Sequence, residues 1–133
     1  FSGKGDYEDV VQYGDSYYIL ESGGDLHKVA VQAPYSASRI KFPKIKKTEF
    51  ESLYIDSAAG RLVLLTKDHR NSAREILAFA FDLTSQQFAE QPIYRISMAA
   101  VFSRMQDNTV ECKPSGAAVH PIEIKVYVIA SVG

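Results

Sequence analysis

An internal repeat restricts the fold of this chain more than any other feature. Three stretches share one plan: a polar opening, a strand, a tight turn and a more apolar strand. The first runs Asp6-Tyr7-Glu8-Asp9-Val10-Val11-Gln12-Tyr13, turns at Gly14-Asp15 and continues as Tyr17-Tyr18-Ile19-Leu20-Glu21-Ser22. The second runs Glu49-Phe50-Glu51-Ser52-Leu53-Tyr54-Ile55-Asp56, turns at Ala59-Gly60 and continues as Leu62-Val63-Leu64-Leu65-Thr66. The third runs Lys113-Pro114-Ser115-Gly116-Ala117-Ala118-Val119-His120, turns from Pro121 and continues as Val126-Tyr127-Val128-Ile129-Ala130-Ser131. Glu8 and Glu51 stand 43 residues apart, close to the length of a four-stranded unit. Glu51 and Ser115 stand 64 apart, and a predicted helix with its loop accounts for the excess.

Short β-rich runs between turn residues predict an antiparallel architecture throughout. Asp25–Val31 and Ser38–Pro43 complete the first unit, and Arg74–Asp82 and Pro92–Ile96 the second. Leu62–Leu65 is continuously apolar, which predicts burial on both faces. Ser97 is a potential N-cap for a short helix through Met105, and Gln106–Cys112 reads as a surface loop. The fold class read from this is all-β, a fragment of a β-propeller with four-stranded antiparallel blades, in one partial domain over 1–133. Blade 1 covers about 6–43, blade 2 about 49–96, a helix and loop insertion about 97–112, and the start of blade 3 about 113–133. A blade buries both faces only when neighbours stack on it, and two and a half blades cannot close a ring. The expectation is that the remaining propeller chain, or another copy, completes it. The chain opens on Phe1 with neither an initiator Met nor a signal peptide, and it stops just after a strand. It is therefore expected to be cut from a longer protein.

Composition narrows the function classes. Among 133 residues, 46% are apolar and 23% charged, enough to build a core. A net charge of −1 recruits neither nucleic acid nor an anionic membrane, and the local basic run Lys41, Lys44, Lys46 and Lys47 reads as solvated loop. No apolar run reaches the length of a transmembrane span. The single cysteine, Cys112, excludes an internal disulfide and reads as a small buried thiol.

Gly5-Asp6-Tyr7-Glu8-Asp9-Val10 followed by Tyr18-Ile19-Leu20-Glu21-Ser22-Gly23-Gly24-Asp25-Leu26 resembles the opening blade of the SdiA-regulated family of bacterial propellers. Lys113–Pro121 followed by Val126-Tyr127-Val128-Ile129 resembles a later blade of that family. NHL-like, phytase-like and gluconolactonase-like propellers are looser relatives. The resemblance implies about six blades and export from a Gram-negative bacterium, with a periplasmic, outer-membrane-anchored or secreted location. It implies a module that binds an unknown small molecule or an envelope protein. The sequence departs from the family pattern at Asp9 and Ser52, where Gly is commoner, and at Glu123-Ile124, where a tight turn with Gly is expected.

The carboxylates that open the units are the leading chemical candidates. Glu8 and Glu51 hold equivalent positions at the start of an inner strand, and such starts converge around a propeller's axis, where ligands collect. Converging oxygens suit a hard cation such as Ca²⁺, and Asp6, Asp9 and Glu49 are near enough in sequence to add more. Ser115 holds the third equivalent position, and Asp68 and His69 lie on the stretch Lys67–Arg70, read as a loop that could face a ligand. Gluconolactonase-like propellers use such a carboxylate for a catalytic metal, which gives the alternative of a Ca-dependent hydrolase of a phosphoester, ester or lactone. The other reading is that each Glu accepts hydrogen bonds from backbone N–H groups of an adjacent blade. His27 reads as a surface or packing residue, and His120, before Pro121, as conformational. No Gly-x-Ser-x-Gly elbow, phosphate-binding loop or dinucleotide fingerprint is present.

Overall fold

Residue alternation and turn chemistry organise the chain into three antiparallel sheets, each a simple up-and-down meander at its core. The computed structural model describes residues 5–43, 48–69, 75–105 and 112–132. The first sheet contains β1 (Tyr7–Tyr13), β2 (Ser16–Glu21), β3 (Leu26–Ala30) and β4 (Ala37–Ile40), hydrogen-bonded in that order. The second contains β5 (Thr48–Asp56), β6 (Arg61–His69), β7 (Glu75–Asp82), β8 (Gln87–Phe88) and β9 (Tyr94–Ser97). Helix α1 (Met98–Met105) follows, and β10 (Cys112–Val119) and β11 (Val126–Val132) form the third sheet. Residues 44–47, 70–74 and 106–111 lie outside the described residues, and with them most of the basic run and of the expected loop after α1. No described helix is long and apolar enough to cross a membrane.

The second sheet departs from the expected four strands. The sequence predicts one outer strand over Pro92–Ile96, but the outer edge of β7 is shared. β8 pairs with Phe81 and Asp82, and β9 pairs with Glu75–Ala78. Ala89 donates its N–H to the Ala80 carbonyl at 2.8 Å and Ile93 its own to Ala78 at 2.8 Å, so the ladder holds on either side of Glu90-Gln91-Pro92. Pro92 has no N–H to give, and the chain loops out around it. Ser97 ends β9 and caps α1, its Oγ accepting the Ala100 N–H at 3.4 Å.

Two apolar layers join the three sheets. Between the first and second, Tyr18, Leu20 and Leu26 meet Phe50, Leu53, Leu62, Leu64, Phe79 and Phe81, all buried. Phe42, just past β4, inserts edge-on against Phe50, Phe79 and Phe88, with ring centroids 4.9–5.2 Å apart. Gly24, at φ +91°, makes room for this layer: a Cβ there would stand 2.6 Å from the Phe50 ring. Between the second and third sheets, Tyr54, Val63, Leu65, Ile76 and Ala78 are buried, with Ala117, Val119 and Val128 packed on them. Met98 and Val101 of α1 join this second layer. The Tyr54 and Tyr94 hydroxyls satisfy each other at 2.6 Å, and burial pushes both phenols above their ordinary range. Leu62–Leu65 is fully buried along its length, as its unbroken apolar run predicts.

Candidate functional site

The same irregularity recurs in the first strand of every sheet. Pairing skips Glu8 in β1, Glu51 in β5 and Ser115 in β10. Each is the extra residue of a β-bulge, a feature that leaves a residue out of the ladder and re-aims its side chain. The three positions judged equivalent in sequence are therefore also equivalent in register. β6 carries a bulge of its own, since its pairing with β5 passes over Lys67 between Thr66 and Asp68.

The bulges of β5 and β6 flank the Phe50–Thr66 pair, and the Lys67 ammonium forms an ion pair with the Glu51 carboxylate. This pairing raises the Lys67 pKa above the ordinary lysine value. Glu8 is half-buried beside them. Its carboxyl is held above the ordinary 4.5, first by partial burial, then by the negative charges of Asp6 and Glu51 and, more weakly, Glu49, while Lys67 opposes the rise. Among the described residues, Asp6, Glu8, Glu49 and Glu51 thus share one electrostatic field with one ammonium, that of Lys67. The stretch Lys67–His69, expected on a loop, belongs to β6, because Glu49 and Thr48 extend β5 to pair with Asp68 and His69. The side chains of Asp68 and His69 lie outside what is described.

Asp9 is engaged differently from its neighbour. Its Oδ1 accepts the Val10 N–H and its Oδ2 the Leu53 N–H, both at 2.8 Å. One carboxylate thus clamps the same register position of β1 and β5. The Phe50 N–H donates to the Ser22 carbonyl at 2.8 Å and adds a second backbone tie between these sheets. The backbone-clamping role considered for the glutamates falls to Asp9. Ser115 is exposed, and its Oγ donates to the Ile129 carbonyl of its own hairpin at 3.5 Å.

Two buried hydroxyls escaped sequence reasoning. Ser52 Oγ and Thr48 Oγ1 have no hydrogen-bond partner among the described residues. Ser52 occupies in β5 the position Asp9 occupies in β1, so the repeat register was the signal that could have singled it out. Of the histidines, His27 Nε2 lies 2.8 Å from Glu21 Oε1, and His120 Nδ1 accepts the Glu123 N–H at 3.2 Å, bracing the turn it opens. Among the described residues, no three His, Cys, Asp or Glu side chains converge closely enough to hold a metal ion. The ammonium beside Glu51 already supplies that carboxylate with a cation. No family model matches this chain, and neither does any curated protein or solved structure.

Proposed function

We propose that the three sheets are consecutive blades of a β-propeller, and that the chain is a ligand- or partner-binding module, exported on the resemblance given above. The bulged starts of β1, β5 and β10 would form its binding rim. The observation that carries this reading is the shared bulge: one extra residue per first strand, at Glu8, Glu51 and Ser115, in three successive sheets. β10 lies beside β5 and β5 beside β1, the neighbour relation expected of inner strands around an axis. Among the described residues four carboxylates stand against one ammonium there, and this excess of negative charge suits a ligand that carries positive charge: an amine, a guanidinium or a divalent cation. The pairing of Lys67 with Glu51 favours binding over metal-dependent hydrolysis, because a catalytic cation would have to displace the ammonium.

The test is thermal unfolding at low salt with spermidine, with CaCl₂ and with no addition. Wild-type protein is expected to gain stability with spermidine, and Glu8→Gln/Glu51→Gln to lose that gain. Protonation of Glu8 removes one of the negative charges that attract the ligand. The gain is therefore complete near neutrality and fades as pH falls through the Glu8 range, which lies above that of an ordinary glutamate. A response to Ca²⁺ alone, with hydrolysis of a model ester that the double substitution abolishes, would establish the hydrolase instead. No response to either cation would end the rim reading.

A further inference from the structure

We propose that a second copy of this chain docks head to tail, the outer face of its first sheet covering the outer face of the third, to close a two-chain ring. The proposal rests on the repeat behind the propeller reading and not on the acidic rim, so the two can fail separately. Register makes the comparison exact residue by residue. Leu20, Leu65 and Ile129 pair with Asp9, Ser52 and Gly116, the positions just past each bulge. The next sheet covers Leu20 and Leu65 completely, whereas Ile129 is 71% exposed. Tyr18, Val63 and Tyr127 form the next equivalent set; the first two are buried and Tyr127 is 53% exposed. Ile129 and Tyr127 thus hold positions that elsewhere in this chain always receive a neighbouring sheet.

The first sheet carries the opposite half. Leu53 and Leu62, buried against it, correspond to Val10 and Tyr17, which are 55% and 39% exposed. These two uncovered faces are the two sides of an interface the chain already builds twice, between its first and second sheets and between its second and third. Apolar faces of this kind are stable when a neighbour covers them.

The polar groups at the new junction are already provided for. Where the first and second sheets meet, the Leu53 N–H needs Asp9 of the preceding sheet. The equivalent N–H on the incoming face is that of Val10, which its own Asp9 satisfies. Gly116 stands on the receiving strand where Asp9 or Ser52 would stand, so no side chain must fit between the strands. The carboxylates on the first sheet's outer face are both engaged: Glu21 lies 2.8 Å from His27 and 2.7 Å from Arg39, which also holds Asp25 at 2.8 Å. Docking therefore buries no unpaired carboxylate there. Two copies supply six sheets, two of them two-stranded, a number within the range of about four to eight over which propeller rings close. Both uncovered faces of both chains are then used.

Analytical ultracentrifugation from micromolar to submillimolar concentration tests this. The wild-type mass is expected to rise to twice the 14.8 kDa of one chain and stop there. Ile129→Lys and Tyr17→Lys each spoil a different half and are each expected to remain monomeric; both positions are exposed in the monomer, so their circular dichroism should match wild type. Tyr127→Glu serves in place of Ile129→Lys should that variant misfold. Mixing Ile129→Lys with Tyr17→Lys restores one intact junction and should restore a dimer. A wild-type monomer at every concentration overturns the proposal. So do open-ended growth, and a dimer that survives both substitutions or is not restored by mixing. The association should be indifferent to Glu8→Gln/Glu51→Gln, and the spermidine response to Ile129→Lys, which separates this junction from the rim.

Discussion

The second sheet and the third are built on the same register, yet they sit in opposite surroundings. In β6 of the second sheet, Leu62, Val63, Leu64 and Leu65 are all fully buried, odd and even residues alike, because a sheet lies on each side. In β11 of the third, Val128 packs inward on the second layer while Tyr127 and Ile129 point to solvent. The difference lies in position within the stack and not in residue type, since Ile129 is as apolar as Leu65. Sheets of a stacked repeat draw their stability from neighbours, and an end sheet retains an apolar face with nothing to pack against.

The most direct way to break this comparison is to truncate equivalent residues. Leu65→Ala removes a fully buried side chain between two sheets, and about 2–5 kcal/mol of unfolding free energy should go with it. Ile129→Ala, at the same register position, should change the monomer by no more than about 0.5 kcal/mol. Urea unfolding at concentrations where the chain is monomeric checks both. Near-equal losses would mean that Ile129 is covered as Leu65 is, and the contrast between the two sheets would fall.

A second contrast lies across the same pairs, where Asp9 and Ser52 stand at the same place in successive first strands. Asp9→Ala strands the N–H of Leu53, a residue 2% exposed, and should lower stability by about 1–3 kcal/mol. Asp9→Asn keeps an acceptor oxygen and should lose less. Ser52→Ala removes a buried hydroxyl that has no partner among the described residues, so stability should hold or rise slightly. Thermal melts of the three variants rank them, and a loss in Ser52→Ala as large as that in Asp9→Ala would show that the hydroxyl is engaged after all.

Much of this was legible in the sequence, for identifiable reasons. β1, β5 and β10 were legible because polar openings precede alternating residues, and the 43- and 64-residue spacings placed Glu8, Glu51 and Ser115 in correspondence. Which of two adjacent carboxylates leaves the ladder was not legible. A bulge shifts the face of each residue by one, and it took Glu8 out of the ladder and gave Asp9 to the backbone clamp. Lys67 escaped as a partner of Glu51 because a bulge in β6 is visible only once β5 is paired with it. The split of the second sheet's outer strand had a signal in Pro92, but the hydrogen bonds that hold Ala89 and Ile93 to β7 arise only in three dimensions.

The smallest effect concerns the turns that join the first two strands of each sheet. Gly14 at φ +55° and Gly60 at φ +64° supply the left-handed residue in the first and second sheets, and in the third Ile124 does so at φ +53°. A β-branched residue is strained in that region, by about 1–2 kcal/mol relative to its preferred conformations. Ile124 is also 70% exposed, so its side chain returns little packing energy. Glycine lifts the strain but frees the unfolded chain, which takes back about 0.4–1 kcal/mol. Ile124→Gly should therefore raise stability by about 0.5–1 kcal/mol, and Gly60→Ile, the reverse change in the second sheet, should lower it by a similar amount, about 0.5–1 kcal/mol. Both are read by chemical denaturation at one protein concentration. A stabilised Gly60→Ile would show that the turns of the two sheets differ in kind, and the equivalence of the sheets would then end at their strands.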